Sequence, residues 1–333
     1  MKPDNMHMTG TRRWMAPLVI ASLMGVLTQR VMAQSTSAAS NANVELGTII
    51  DSTEYRILRV RPSATYPAIH TWDTTHAVFY DSHKRANKLL LFLAGTNGTP
   101  EHVPEAFLKT ALDQGYRVIA LSYITAPGVS QVCVGDVLNT DVDCAAEFRQ
   151  RRIYGDNDFS RIKDEPQDAI VPRLVHLLRW LASHDASGDW QQYLGAGGTS
   201  PRWARIAVAG QSQGGGMAEF LGQHEVLARV ISFSGGWDYS NSREKRMAGW
   251  YSRAAVTPLE HWYATYNVHE AAVTQLKSIC AALQIPASHV FALDKPLLQA
   301  PPAGKRGNPY HPDGIHNPAY QSIWIEMLGS GAE

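Results

Sequence analysis

The period of the hydrophobic pattern changes repeatedly along the chain. Short runs that are nearly all apolar alternate with longer stretches whose apolar residues recur at helical spacing. The runs are Leu89-Leu90-Leu91-Phe92-Leu93, Val118-Ile119-Ala120-Leu121, Ile206-Ala207-Val208-Ala209 and Val230-Ile231-Ser232-Phe233. Strands apolar on both faces belong to a sheet covered by helices on both sides, and such sheets are mostly parallel. Helices are predicted over 103–115, 169–182, 215–223, 271–283 and 317–328. The second carries Ile170, Leu174, Leu177, Leu178 and Leu181 on one stripe, with Asp168 at the N-cap and Pro172 in the first turn. Strand–helix alternation of this kind predicts an α/β fold, a doubly wound, mostly parallel sheet with helices on both faces. Residues 46–50 and 55–60 read as strands with no helix between them, which predicts an antiparallel hairpin leading into the sheet.

The start of the chain does not belong to this pattern. Lys2, Arg12 and Arg13 precede an apolar run over 14–27, and Val31-Met32-Ala33 follows as a small-x-small-like cleavage site. This is the build of a signal peptide, 1–33, cut after Ala33. The run falls short of the roughly 20 apolar residues that span a bilayer, and Arg30 interrupts it, so no stable membrane span is expected after cleavage. An uncleaved anchor is the alternative. Thr11-Arg12-Arg13 partly matches a twin-arginine signal, so the export route, Sec or Tat, stays open, as does the choice between periplasm and secretion. Residues 34–43, rich in Ser, Ala and Asn, read as a flexible lead-in. Residues 44–333 read as one domain with rim insertions near 124–164 and 237–258.

Composition narrows the classes. The 333 residues contain 44% hydrophobic and 18% charged residues, which argues against disorder. Lys and Arg number 30 and so do Asp and Glu, but the leader alone carries Lys2, Arg12, Arg13 and Arg30 against Asp4. The remaining chain is therefore mildly acidic, and nucleic acid, which is bound through Lys and Arg on phosphates, is not an expected partner. Cys133 and Cys144 flank a short polar segment of an exported chain and predict a disulfide. Cys280 lies in a helical pattern and reads as a buried, inert thiol. No metal is expected: HExxH is missing, and Asp156-Asn157-Asp158 begins like a calcium loop but lacks its Gly and its terminal Glu. The dinucleotide and Walker fingerprints are also missing, so no cofactor is implied.

The stretch that carries chemistry is Ile206-Ala207-Val208-Ala209-Gly210-Gln211-Ser212-Gln213-Gly214-Gly215-Gly216, a buried strand running through Gly-x-Ser-x-Gly into a helix. A serine nucleophile needs its hydroxyl exposed on a sharp strand-to-helix turn with φ near positive values, and small residues two before and two after relieve the resulting crowding. Gly210 and Gly214 stand at those positions. The helix start adds positive potential and free N–H groups.

With this motif in place, the sequence resembles the α/β-hydrolase superfamily, from about Lys88 to the C-terminus. Among its members, exported bacterial esterases and polyester depolymerases are distantly similar. The resemblance implies a Ser-His-acid triad with Ser212 as nucleophile. It implies an oxyanion hole from the N–H of Gln213 and from the loop after strand 89–94, where Thr96 is the expected donor and Asn97 the alternative. Asn97-Gly98-Thr99 is also a glycosylation sequon. The family order Ser, acid, His points to His316 in Asp313-Gly314-Ile315-His316-Asn317-Pro318, with His311 as the alternative base. The acid follows the penultimate strand, 262–266. Glu270 occupies that position; Asp238 and Asp294 compete with it, and a helix N-terminal charge is another use for Glu270. Trp237, Tyr239, Trp250 and Tyr251 in the second insertion either line a substrate groove or pack the insertion onto the sheet.

The expected activity is cleavage of carboxylic esters, small or polymeric, through an acyl-enzyme. A peptidase or amidase using the same triad, and a non-catalytic binding protein on the same scaffold, are the alternatives.

Overall fold

In the computed structural model, residues 44–47, 55–135, 137–240, 246–298 and 307–332 are described, and nine strands among them form one sheet. The predicted leader and the lead-in lie outside the described residues. The strands are β1 (Val44–Gly47), β2 (Tyr55–Val60), β3 (His76–Asp81), β4 (Leu89–Leu93), β5 (Arg117–Ala120), β6 (Ile206–Gln211), β7 (Arg229–Phe233), β8 (Trp262–Asn267) and β9 (Val290–Leu293). Across the sheet they run β1-β2-β3-β5-β4-β6-β7-β8-β9. The six strands from β5 to β9 in this order pair in parallel, and the first three are antiparallel additions. The fold is thus the doubly wound, mostly parallel sheet of α/β-hydrolase type.

The all-apolar runs serve both faces. Leu90, Phe92, Val118, Ala207 and Ala209 pack on one side with Phe107, Trp324 and Met327. Leu89, Leu91, Leu93, Ile119 and Val208 pack on the other with Leu174, Leu178, Met217 and Leu221. Each large apolar side chain fully buried in this way contributes about 1.5–3 kcal/mol before entropy is counted. Helix α1 (Glu105–Asp113) covers the first face. On the second lie α2 (Cys144–Tyr154), α3 (Ile170–His184), α4 (Gln213–His224) and, towards the β9 edge, α5 (Val273–Ala282). Helices α6 (Tyr310–His316) and α7 (Gln321–Leu328) close the first face near the C-terminus. Among the described residues no helix is long and apolar enough to cross a membrane.

The winding direction changes between β4 and β6. The chain goes from β4 to β5 on one side and from β6 towards β9 on the other, so the C-terminal ends of β4 and β6 bound the crevice where such sheets bind ligands.

Three local expectations need correction. The predicted hairpin forms, with Val44 opposite Val60 and Gly47 opposite Ile57, but an unpredicted strand, β3, joins it to the parallel sheet. Its residues are buried throughout, yet its ends are polar. His76 accepts the Ser122 N–H at 2.9 Å, and the Tyr80 hydroxyl donates to Asp185 at 2.7 Å. Asp168 does not cap α3, whose N-cap residue is Ala169. Its carboxylate instead meets the buried Arg173 guanidinium at 2.6 Å, where an unpaired cation is too costly to leave. The C-terminal helix predicted over 317–328 is a 3₁₀ turn, Pro318–Tyr320, leading into α7, and an unpredicted helix, α6, comes before it and contains both candidate histidines.

The Cys133–Cys144 disulfide is present, and Cys144 is the first residue of α2. Cys280 is free on α5, and burial pushes its thiol up to about 12, away from the reactive thiolate.

Candidate active site

Ser212 stands between β6 and α4 with φ 56° and ψ −119°, and its N–H donates to the Phe233 carbonyl at 2.9 Å. The neighbouring glycines explain how the chain makes this turn. A Cβ on Gly210 would lie 2.1 Å from the Gly214 backbone, and one on Gly214 would lie 2.0 Å from the Leu93 carbonyl oxygen. Only hydrogen fits at either position.

The loop after β4 lies against the elbow. A Cβ on Gly95 would come within 2.5 Å of Gln211 Oε1 and 3.3 Å of Ser212 Cβ. The two residues expected to supply oxyanion donors also share a neighbour. The space a Cβ of Gly128 would take is 2.6 Å from Thr96 Oγ1 and 2.8 Å from Gln213 Oε1. The N–H of Gln213 opens α4, where intrahelical acceptors are missing. Its side chain is buried and clasps the disulfide-bearing excursion: Oε1 accepts the Val129 N–H at 2.9 Å and Nε2 donates to the Thr125 carbonyl at 3.1 Å. Residues 125–129 are therefore held against the start of α4.

Glu270 lies three residues beyond the end of β8 with its side chain 1% exposed. Oε1 accepts from Ser234 Oγ at 2.5 Å and from the Asn267 N–H at 3.0 Å. Oε2 faces His311 Nδ1 at 2.6 Å. A carboxylate only accepts, so Nδ1 carries the proton and Nε2 is left as the basic nitrogen. The His311 carbonyl accepts from Nε2 of Gln211, the residue before Ser212, at 3.4 Å, and the Trp237 ring stands edge-on to the imidazole with centroids 4.9 Å apart.

His316, the expected base, does not join this group. It is exposed, and among the described residues no hydrogen bond links it to a carboxylate. The reason is helical phase: both histidines lie on α6, and five residues turn the helix by about 140° beyond one full turn, so one faces the crevice and the other faces away. Asp238 is not free to orient a histidine. Its two oxygens receive Arg149 Nε and Nη2, each at 2.6 Å, and Trp250 Nε1 at 2.8 Å, with both charged side chains fully buried. Asp294, after β9, is exposed. Asn97, the alternative oxyanion residue, has φ 63° at the turn of its loop.

Of the insertion's aromatic residues, Trp250 and Tyr251 are wholly buried and pack it onto the fold, whereas Trp237 is half-buried against His311 and Tyr239 half-buried against Trp237. Ser234 was not among the expected site residues. The only hint in the sequence is its place directly after β7 in Ser234-Gly235-Gly236.

No family model matches the chain, and no curated protein matches it in sequence. Solved structures similar to it include an esterase from the bacterial hormone-sensitive lipase family, at 15% identity over 85% of this chain and 86% of that one, with TM-score 0.41. Another is EstE1, a thermophilic carboxylesterase cloned from a metagenomic library, at 13% identity over 84% and 90%, with TM-score 0.42. A third is a hyperthermophilic esterase from the archaeon Pyrobaculum calidifontis, at 12% identity over 77% and 81%, with TM-score 0.38. Likeness of this depth assigns no chemistry to the chain, which has to be read from its own side chains.

Proposed function

We propose that the chain is an exported serine hydrolase, one catalytic domain over 44–333, that cleaves carboxylic esters of small-molecule or polymeric substrates. Ser212 is the nucleophile, His311 the base in place of His316, and Glu270 the acid. The observation that carries this reading is the 2.6 Å contact between Glu270 Oε2 and His311 Nδ1 beside the Ser212 elbow.

In the reaction Ser212 Oγ attacks the ester carbonyl carbon as its proton passes to His311 Nε2. The buried Glu270 carboxylate stabilises the imidazolium that forms. The N–H groups of Gln213 and Thr96 receive the oxyanion; loss of one such donor typically costs about 3–4 kcal/mol of transition-state stabilisation. Collapse breaks the bond to the alkoxide, which leaves as the alcohol with the proton from His311. Water, deprotonated by the same imidazole, then releases the acid from the acyl-enzyme.

The test is turnover of p-nitrophenyl esters and labelling by a fluorophosphonate. Ser212→Ala should abolish both, and retained turnover would sink the assignment. Ester and amide analogues of one acyl group, assayed side by side, separate an esterase from an amidase. N-terminal sequencing of protein recovered outside the cytoplasm should begin at Gln34.

A further inference from the structure

Ser234 touches neither the nucleophile nor the base, yet every polar group it carries is used at this site. It directly follows β7 with φ 46°, a left-handed conformation uncommon for a residue with a side chain. Its N–H donates to the Thr265 carbonyl of β8 at 2.8 Å, and its own carbonyl accepts Trp237 Nε1 at 2.8 Å. These bonds aim the buried hydroxyl at Glu270 Oε1, 2.5 Å away. The Asn267 N–H reaches the same oxygen at 3.0 Å, so Oε1 is occupied and Oε2 is the oxygen presented to His311. The Trp237 ring held by the Ser234 carbonyl is the one that stands against the imidazole.

We propose that Ser234 is a positioning residue for the acid: its hydroxyl fixes the carboxylate rotation of Glu270, and its carbonyl fixes the indole that braces His311. This rests on the Ser212-His311-Glu270 reading. A buried carboxylate lacking one of its donors is free to turn its other oxygen away from the imidazole, which weakens orientation in the transition state while leaving substrate contacts in place. The effect belongs in kcat rather than KM.

The left-handed backbone makes glycine the informative replacement, since Ser234→Gly removes the hydroxyl without backbone strain. In the full-length enzyme Ser234→Gly should lower kcat for a p-nitrophenyl ester about 10- to 100-fold with KM within about twofold, the loss expected for one hydrogen bond to a charged group. The same change made in a Glu270→Ala background should alter kcat by less than about twofold, because the group it positions is gone. An equal loss in both backgrounds would mean that Ser234 acts only through the fold, and the proposal falls. A change within about twofold in both backgrounds, with Glu270→Ala itself impaired, also overturns it and leaves the triad standing. Undiminished kcat in Glu270→Ala removes the triad reading and this proposal with it. Thermal unfolding of each variant identifies a misfolded protein, and Ser234→Cys, which keeps the size and a weak donor, then replaces glycine in the same cycle.

Discussion

Arg149 and Asp238 meet through two parallel hydrogen bonds of 2.6 Å with neither side chain reaching solvent. Arg149 lies on α2, five residues after the disulfide cysteine Cys144, and Asp238 lies on the segment that also carries Ser234 and Trp237. A third contact runs from Arg149 Nη1 to the Gln213 carbonyl at 3.5 Å. The pair therefore ties the excursion, the start of α4 and the segment behind Glu270 into one unit.

Removing one partner of such a pair leaves a buried charge without compensation, which costs about 3–5 kcal/mol. Asp238→Asn should lower the unfolding free energy by about that much in urea titration. The Arg149→Met, Asp238→Leu double variant should recover most of it, since neither charge is then buried. Variant fractions that remain folded should still label with a fluorophosphonate. A stable but unreactive Asp238→Asn enzyme would instead return Asp238 to the list of candidate acids.

The two histidines of α6 should behave oppositely. His311→Ala should reduce kcat by about 10³-fold or more, the scale on which triad members act, with folding retained. His316→Ala should leave kcat within about twofold. Steady-state kinetics on one ester decides it, and the reverse ranking would restore the assignment suggested by chain order.

How much of this is legible in the sequence depends on the range of each interaction. The elbow is, because Gly210, Ser212 and Gly214 meet their steric requirements within a few residues of a strand and a helix. Glu270 is legible by its distance from the end of β8. The choice between His311 and His316 is not: Pro309, Pro312 and Gly314 disguise α6 as a loop, so the phase that points one histidine inward cannot be read. Ser234 and the Arg149–Asp238 pair are created by contacts between residues 36 and 89 positions apart, and no local pattern announces them. Strand β3 is missed for a related reason, since its polar ends find partners only in the folded state.

Glycines at the elbow and on the surface should separate cleanly. A methyl group at Gly214 would stand 2.0 Å from the Leu93 carbonyl oxygen, so β4 or α4 has to shift. Gly214→Ala should both destabilise the protein by several kcal/mol, on the scale of an overpacked core, and remove the proposed turnover of p-nitrophenyl esters. At Gly249 a Cβ meets nothing within 4 Å. Gly249→Ala should be neutral or stabilise by about 0.4–1 kcal/mol through the unfolded chain, with kcat unchanged. Chemical denaturation and ester turnover measure both, and an active Gly214→Ala enzyme would count against the tight turn.

Stability should also carry the signature of Glu219, two turns into α4. Burial pushes its carboxyl up to about 7 from 4.5; the Ser232 hydroxyl at 2.6 Å and the nearby Arg149 charge oppose the rise, and Asp238 adds to it. The Tyr251 hydroxyl lies close by: a Cβ on Gly236 would stand 3.1 Å from it and 3.2 Å from Glu219 Oε2. The folded state thus holds this proton more tightly than the unfolded chain. Its contribution is complete below pH 4.5 and is lost as pH rises to about 7, with no further change above. A shift of this size corresponds to about 3 kcal/mol. Glu219→Gln cannot ionise, so the wild type minus variant difference in unfolding free energy should fall by roughly that amount between pH 5 and pH 8. Urea titrations of both proteins at the two pH values measure the difference directly. A flat or rising difference would mean that Glu219 is ionised in the folded protein at pH 5.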